Sequence, residues 1–252
     1  FLRGNVGKPG AGPSPVRGHS NVQGQRTVGI TEKPELAPLD KLASQFSFEP
    51  PRKKGMNTVE AFEAMLKGEV KGVFNLGGNL VRSVPDRLRI EPAWRGLRLN
   101  VNVATKLNRS HLVHGDISYI LPCLSRIEID RQASGDQAVS MEDSTACMHG
   151  SRGVAEPASD NIRSEPYIVA GIAKATLGTR FNVDWDAWRD DYSIVRNEIE
   201  KTYPEIFHDF NQRMWTPGGF HKPLPARERQ WKTKSGKAEF QVPKALGEDP
   251  DM

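Results

Sequence analysis

Cysteine is scarce in this chain: its 252 residues hold two, Cys123 and Cys147. Two thiols are too few for a disulfide framework, an iron–sulfur cluster or a cysteine-built structural zinc site. Nothing here calls for an oxidising compartment, so a cytoplasmic location is expected. Long apolar runs are missing as well. No stretch approaches the roughly 18 apolar residues of a membrane span, and the mean hydropathy is −0.56. A dense basic stripe with interleaved aromatics, the usual footprint of nucleic-acid binding, is also lacking. The net charge is +4. The basic residues are spread out, apart from Arg52-Lys53-Lys54 and a looser group at Arg227, Arg229, Lys232, Lys234 and Lys237, as in an ordinary solvated surface. The chain opens on Phe1, with neither an initiator Met nor a charged-then-apolar leader. It is therefore expected to be an internal fragment of a longer protein.

Against these absences stands Val70 to Asn79, VKGVFNLGGN. Val70, Val73, Phe74 and Leu76 form a run too short for a helix and rich in β-branched and aromatic residues, which reads as a buried strand of an α/β sheet. Gly77 and Gly78 allow a tight turn and close backbone approach to a ligand, and Asn75 and Asn79 offer amide groups at the strand's carboxyl end. Ligands of open α/β sheets bind at that end. A glycine-rich turn without a ligand fits the same residues.

Other elements follow from local signals. Asn57 with Glu60 three residues on predicts a helix start, Val59, Phe62 and Leu66 share its face, and Gly68 ends it. Ser83, Pro85 and Asp86 predict a second helix, running to about Trp94 and stopped by Gly96. Leu97 to Ala104 alternates as a strand, His111 to Gly115 could form a helical turn, and Ile117 to Leu121 forms a third strand. Ser164-Glu165-Pro166 starts a helix that ends at Gly178. Trp185, Trp188, Tyr192, Val195 and Ile199 predict one amphipathic helix with an aromatic stripe for core or interface, followed by a shorter helix carrying Ile206, Phe207, Phe210 and Met214. Leu39 to Phe46 could add a helical turn. Leu124 to Asp160 is polar. Cys147 and His149 there, like His111 and His114, are too few for a metal site and are expected to be structural, so no metal ligand is assigned. Phe1 to Ile30 is packed with glycine and proline, which excludes a long helix or a central strand and leaves a long ordered loop lining a site.

That loop carries a resemblance. GKPGAGPSPVRGHSNVQG, Gly7 to Gly24, resembles the segment of molybdopterin oxidoreductases of the formate dehydrogenase branch that passes beside the metal. Arg17 matches the arginine facing the metal centre. The family's glutamine two residues on is His19 here, while Asn21, Val22, Gln23 and Gly24 match. Val73 to Asn79, Val103 to Thr105 and Gly115 to Pro122 are similar to the family's third domain, with Ala104-Thr105 where the family usually has a Ser-Asp or Gln-Asp pair. Lys237-Ala238-Glu239-Phe240 resembles a short strand leading into a C-terminal barrel. The resemblance implies Arg17 and His19 as catalytic residues. It implies Asn21, Gln23, Gly24, Asn75, Gly77, Gly78, Asn79, Thr105 and Glu165 as contacts to a bis-molybdopterin guanine dinucleotide cofactor carrying molybdenum or tungsten. An iron–sulfur cluster would lie outside this chain.

The expected architecture is α/β: a Rossmann-like parallel sheet with flanking helices, preceded by a Gly/Pro-rich site-lining loop and followed by a helical and irregular C-terminal extension. The expected divisions are 1–55, the end of a preceding domain; 56–180, the dinucleotide-binding domain; and 181–252, an extension towards a barrel. The expected partners are the remaining domains of the parent chain and a small-molecule substrate, with inactivity of this chain alone. The alternative is a non-catalytic Rossmann-like nucleotide-binding module with a regulatory or assembly role, for which the Gly77-Gly78 turn would suffice.

Overall fold

A parallel sheet forms where the glycine-flanked apolar runs predict one. The structure is a computed structural model that describes residues 3–12, 16 and 21–240. Asn21, left-handed at φ 61°, precedes α1 (Val22–Thr27), and a 3-10 turn at Pro34–Leu36 leads to α2 (Leu39–Phe46). α3 (Thr58–Leu66) opens on the expected capping box, with Glu60 N donating to Asn57 Oδ1 at 2.9 Å and Asn57 N to Glu60 Oε2 at 2.8 Å. Then come β1 (Gly72–Leu76), α4 (Leu80–Ser83), α5 (Arg87–Arg95), β2 (Leu99–Ala104), α6 (Arg109–Leu112) and β3 (Ile117–Pro122). The three strands are parallel in the order β1-β2-β3, with Phe74, Val101 and Tyr119 in register. Helices flank this sheet, which gives the Rossmann-like α/β fold.

Phe62, Met65, Val81, Ile90, Trp94, Leu97 and Val113 pack into one core, with Val73 of β1 against it. Strand parity puts Asn75, Asn100 and Asn102 on the same face as Val73, and all three are buried. The apolar alternation of β2 therefore points largely away from the helices. Burial of the asparagines is offset by bonds: Asn75 Nδ2 donates to Asn102 Oδ1 at 2.8 Å, and Gly115 N donates to Asn100 Oδ1 at 2.7 Å. The opposite face leaves Phe74, Leu76, Leu99, Ile117 and Tyr119 exposed.

Beyond β3 lie the two-residue strands β4 (Arg131–Gln132) and β5 (Gly135–Asp136), then β6 (Val139–Glu142) and β7 (Cys147–Ser151). They are followed by α7 (Glu165–Leu177), α8 (Trp185–Asp190), α9 (Tyr192–Thr202), α10 (Pro204–Phe207), α11 (Phe210–Arg213) and β8 (Phe220–His221). β6, β7 and β8 make an antiparallel sheet in that order. A second core gathers Ala138, Met148, Phe207, Phe210, Met214 and Phe220. The N-terminal helices join this half: Gln45 of α2 donates to Glu198 Oε2 of α9 at 2.7 Å and accepts from Thr202 Oγ1 at 2.7 Å.

Several local expectations are corrected. The predicted single helix through Trp185 and Ile199 is two, because Asp191 is extended (φ −149°, ψ 106°) and its carboxylate caps Ser193 N at 2.8 Å. The short helix after Pro204 is likewise split, at the left-handed Asp209. The helix expected from Ser83 begins at Arg87 after a separate turn, α4, and Pro92 lies inside it. The polar stretch after Leu124 holds the β6–β7 hairpin, because its strands are short and its turn is held by side chains. Lys237 to Phe240 is irregular, since a strand needs a sheet partner and none is present there among the described residues.

Candidate functional site

The carboxyl end of the parallel sheet carries five of the sequence-predicted residues, Asn75, Gly77, Gly78, Asn79 and Thr105. Gly77 N still donates to Val103 O at 2.8 Å, so the chain leaves β1 paired. Gly77 and Gly78 then take φ of 71° and 78°, a left-handed conformation that favours glycine. A Cβ built on either would meet nothing within 4 Å, so the turn faces open space. The turn is pinned from behind. Asn108 Nδ2 donates to Gly78 O at 2.9 Å, Ser110 Oγ to Asn79 Oδ1 at 3.3 Å, and Arg82 N to Asn79 O at 2.9 Å. Asn108 is in turn fixed by the first turn of α6, donating from its backbone to His111 Nδ1 at 2.9 Å. Burial holds the His111 imidazole below its usual pKa, which suits that acceptor role. Among the described residues the backbone N–H groups of Gly78 and Asn79 have no acceptor.

Neighbouring strand ends add to this rim. Thr105, just past β2, is exposed. The bridge between Cys123 and Arg163 carries the start of α7 to the end of β3, which places Glu165 there. Burial raises the Glu165 carboxyl above its usual range, and no hydrogen-bond donor reaches it among the described residues. Cys123 beside it is buried; burial first, then the Glu165 and Glu128 charges, push its thiol up to about 11. That thiol is a packing group rather than a nucleophile. Asn75 lies buried beneath the turn, and Asn102 Nδ2 is buried with no partner among the described residues.

Asn21, Gln23 and Gly24 lie elsewhere, on the β6–β7 hairpin. Asn21 Nδ2 donates to Ser140 O at 3.2 Å and Glu142 N to Asn21 Oδ1 at 2.9 Å. Gln23 Nε2 and Thr27 Oγ1 each donate to the Glu142 carboxylate at 2.5 Å, and Lys222 Nζ pairs with it at 2.7 Å. The Glu142 side chain is fully buried. Gly24 is needed for this docking, because a Cβ there would overlap Asn21 Oδ1. Asn21 and Gln23 thus clamp α1, and through it the chain just after Arg17 and His19, which lie outside the described residues. Glu142 and Lys222 escaped sequence reasoning. They are 119 and 195 residues from their α1 partners, and the one usable signal was an acid at the end of an alternating Val139-Ser140-Met141 run.

No protein-family model matches the chain. The protein YdeP of Escherichia coli strain K12 is 49% identical over 250 residues, covering 99% of this chain and 33% of YdeP. The uncharacterized oxidoreductase Rv2900c of Mycobacterium tuberculosis is 46% identical over 246 residues, 96% of this chain and 31% of that protein. A nitrate reductase of Klebsiella oxytoca is 26% identical over 209 residues, 76% of this chain and 21% of that protein. The chain therefore spans about a third or less of the length of these curated relatives. It is related in sequence to oxidoreductases.

Proposed function

We propose that this chain is part of a molybdopterin-dependent oxidoreductase of the formate dehydrogenase-like branch, and that the carboxyl end of its parallel sheet holds one guanine dinucleotide of the cofactor. The observation that carries this is the Gly77-Gly78 turn: open space in front, the backbone N–H groups of Gly78 and Asn79 unspent among the described residues, and a pinned rear wall. These features fit the group. Backbone N–H donors at a turn suit phosphate oxygens, the Thr105 hydroxyl suits a ribose, and the half-buried Glu165 carboxylate suits the N–H edge of a guanine. The likeness to a nitrate reductase and to proteins named oxidoreductases supports the same reading.

The bound metal and pterins would supply the two-electron chemistry. The chain's own residues bind and orient. Arg17 would be a fixed cation for an anionic substrate or developing negative charge, and His19 would hold or pass a proton near neutral pH. In this proposal residues 1–55 end a preceding domain, 56–180 bind the dinucleotide, and 181–252 lead towards a barrel. The partners are the remaining parent domains and a small-molecule substrate. Formate dehydrogenase-like specificity rests on the Gly7–Gly24 segment.

The test uses the full-length protein expressed anaerobically. About one molybdenum or tungsten and about two guanine dinucleotides per chain are expected. A valine at Gly78 should lower dinucleotide content, because φ of 78° strains a β-branched residue, whereas Arg17→Ala should keep cofactor and lose turnover. A protein free of metal and dinucleotide, from a host that loads a known molybdoenzyme, would leave the non-catalytic nucleotide-binding module standing instead.

A further inference from the structure

The turn of the β6–β7 hairpin brings together three side chains of different chemistry. Cys147 and His149 are two apart on β7 and so share a face, and Asp143 lies opposite at the end of β6. One ligand atom from each, a carboxylate oxygen, the Cys147 Sγ and a His149 ring nitrogen, all lie within 4.8 Å of one another. Zinc bonds of about 2.0–2.3 Å in tetrahedral geometry need ligand atoms roughly 3.3–3.8 Å apart, so only small side-chain adjustments separate this cluster from a coordination shell.

The surroundings are arranged as a shell would need. Asp143 Oδ1 is spent on the turn, accepting from Thr145 N and Thr145 Oγ1 at 2.8 Å and from Cys147 N at 3.0 Å. This aims Oδ2 at His149 Nε2, 2.9 Å away. Cys147 is buried, and its thiol donates to Gly218 O at 2.7 Å. Gly218 and Gly219 close the far wall, where a Cβ on Gly219 would overlap Met148 O and press on the His149 ring. His149 and Asp143 side chains are each about one-third exposed, at 33% and 34%, which leaves a path for an ion and a water.

We propose that Asp143, Cys147 and His149 bind a zinc ion, with a water as fourth ligand. Thiolate, imidazole and carboxylate together are a borderline-soft donor set that suits Zn2+ over Mg2+ or Ca2+. On binding, the Cys147 S–H bond breaks and its proton leaves to solvent, the His149 ring shifts from the Nε2–H to the Nδ1–H tautomer, and sulfur–zinc and nitrogen–zinc bonds replace the hydrogen bonds to Gly218 and Asp143. The site is built on the β6–β7 hairpin rather than on the parallel sheet and does not depend on the molybdopterin proposal. Its ligand Asp143 directly follows Glu142, so the ion would stiffen the hairpin that clamps α1.

The experiment is zinc content and zinc-edge X-ray absorption of the reduced full-length protein, wild type against Asp143→Asn, Cys147→Ser and His149→Gln. The proposal requires about one zinc fewer per chain in each variant, and in the wild type a shell of one sulfur with nitrogen and oxygen ligands. Equal zinc in wild type and variants overturns it, as does a wild type that takes up no zinc on titration. The absorption spectrum needs no variant, so a substitution that fails to fold leaves the proposal testable: an all-sulfur or sulfur-free shell overturns it.

Discussion

Glu142 shows how one buried charge can govern a distant segment. Its carboxylate is fully enclosed and takes bonds from Gln23, Thr27 and Lys222. Removing it leaves the Lys222 ammonium without its carboxylate, with only the Thr27 hydroxyl to accept from it, and frees the donors of α1. Glu142→Ala should therefore cost about 3–5 kcal/mol, the range for breaking one half of a buried ion pair, read as a lower urea midpoint with the slope unchanged. Glu142→Gln should cost less, because an amide oxygen still accepts from Gln23 or Thr27. Glu128 behaves differently. Ser125 N, Ser125 Oγ and Ala158 N donate to it at 2.6, 2.8 and 3.0 Å, and the Ser125 backbone bond leads in lowering its carboxyl below the usual 4.5. A carboxyl depressed in the folded state binds its proton more readily when unfolded. Its contribution is complete above about pH 4.5 and disappears as pH falls through the lower folded value. Glu128→Gln should flatten the stability–pH curve below about pH 4.5, measured by thermal melts at a series of pH values falling from neutrality. Neither role was legible in the sequence, since both acids act through partners that fold and loop geometry bring to them.

At the scale of elements, local signals were read well and their interruptions were not. The capping box at Asn57, the glycine stop at Gly178 and the short apolar strands β1 to β3 formed as expected, because each is decided within a few residues. The break at Asp191 was invisible. Apolar spacing runs straight through it, and what ends α8 is the choice of one carboxylate to cap the next helix. Asp191→Ala should cost about 1 kcal/mol and lower the amide protection of the first turn of α9 in hydrogen exchange. The β6–β7 hairpin was equally hidden, in strands of four and five residues joined by a turn with Ala146 left-handed at φ 64°. The buried asparagines of β2 reverse the naive rule that apolar positions face the helices, and Asn75, Asn102 and Gly115 supply the bonds that make this possible. The glycine turn of the candidate site was legible because left-handed backbone at a strand end leaves few residues to choose from. The clamp residues were not, since Asn21 and Gln23 look alike whether they meet a ligand or a strand.

The whole molecule has two cores joined by crossing connections. Trp94 is fully buried at the centre of the first, stacked on Phe62 with ring centroids 6.3 Å apart. Trp94→Ala should cost about 3–5 kcal/mol, and hydrogen exchange should quicken in β1 to β3 well before it does in α9 to α11, whose core holds none of the same residues. Equal loss in both halves would show that they unfold as one unit. The chain also closes on itself: Lys222 Nζ donates to Thr27 Oγ1 across 195 residues, and Arg229 Nε to Val6 O across 223. On a ribosome this closure becomes a delay. At about 5–20 residues per second, the first helix waits roughly 10–40 s after its own synthesis before Lys222 is made. α1 is therefore made well before Lys222, one of the side chains that fastens it. For that whole interval α1 stands without this fastening, open to aggregation until Lys222 arrives.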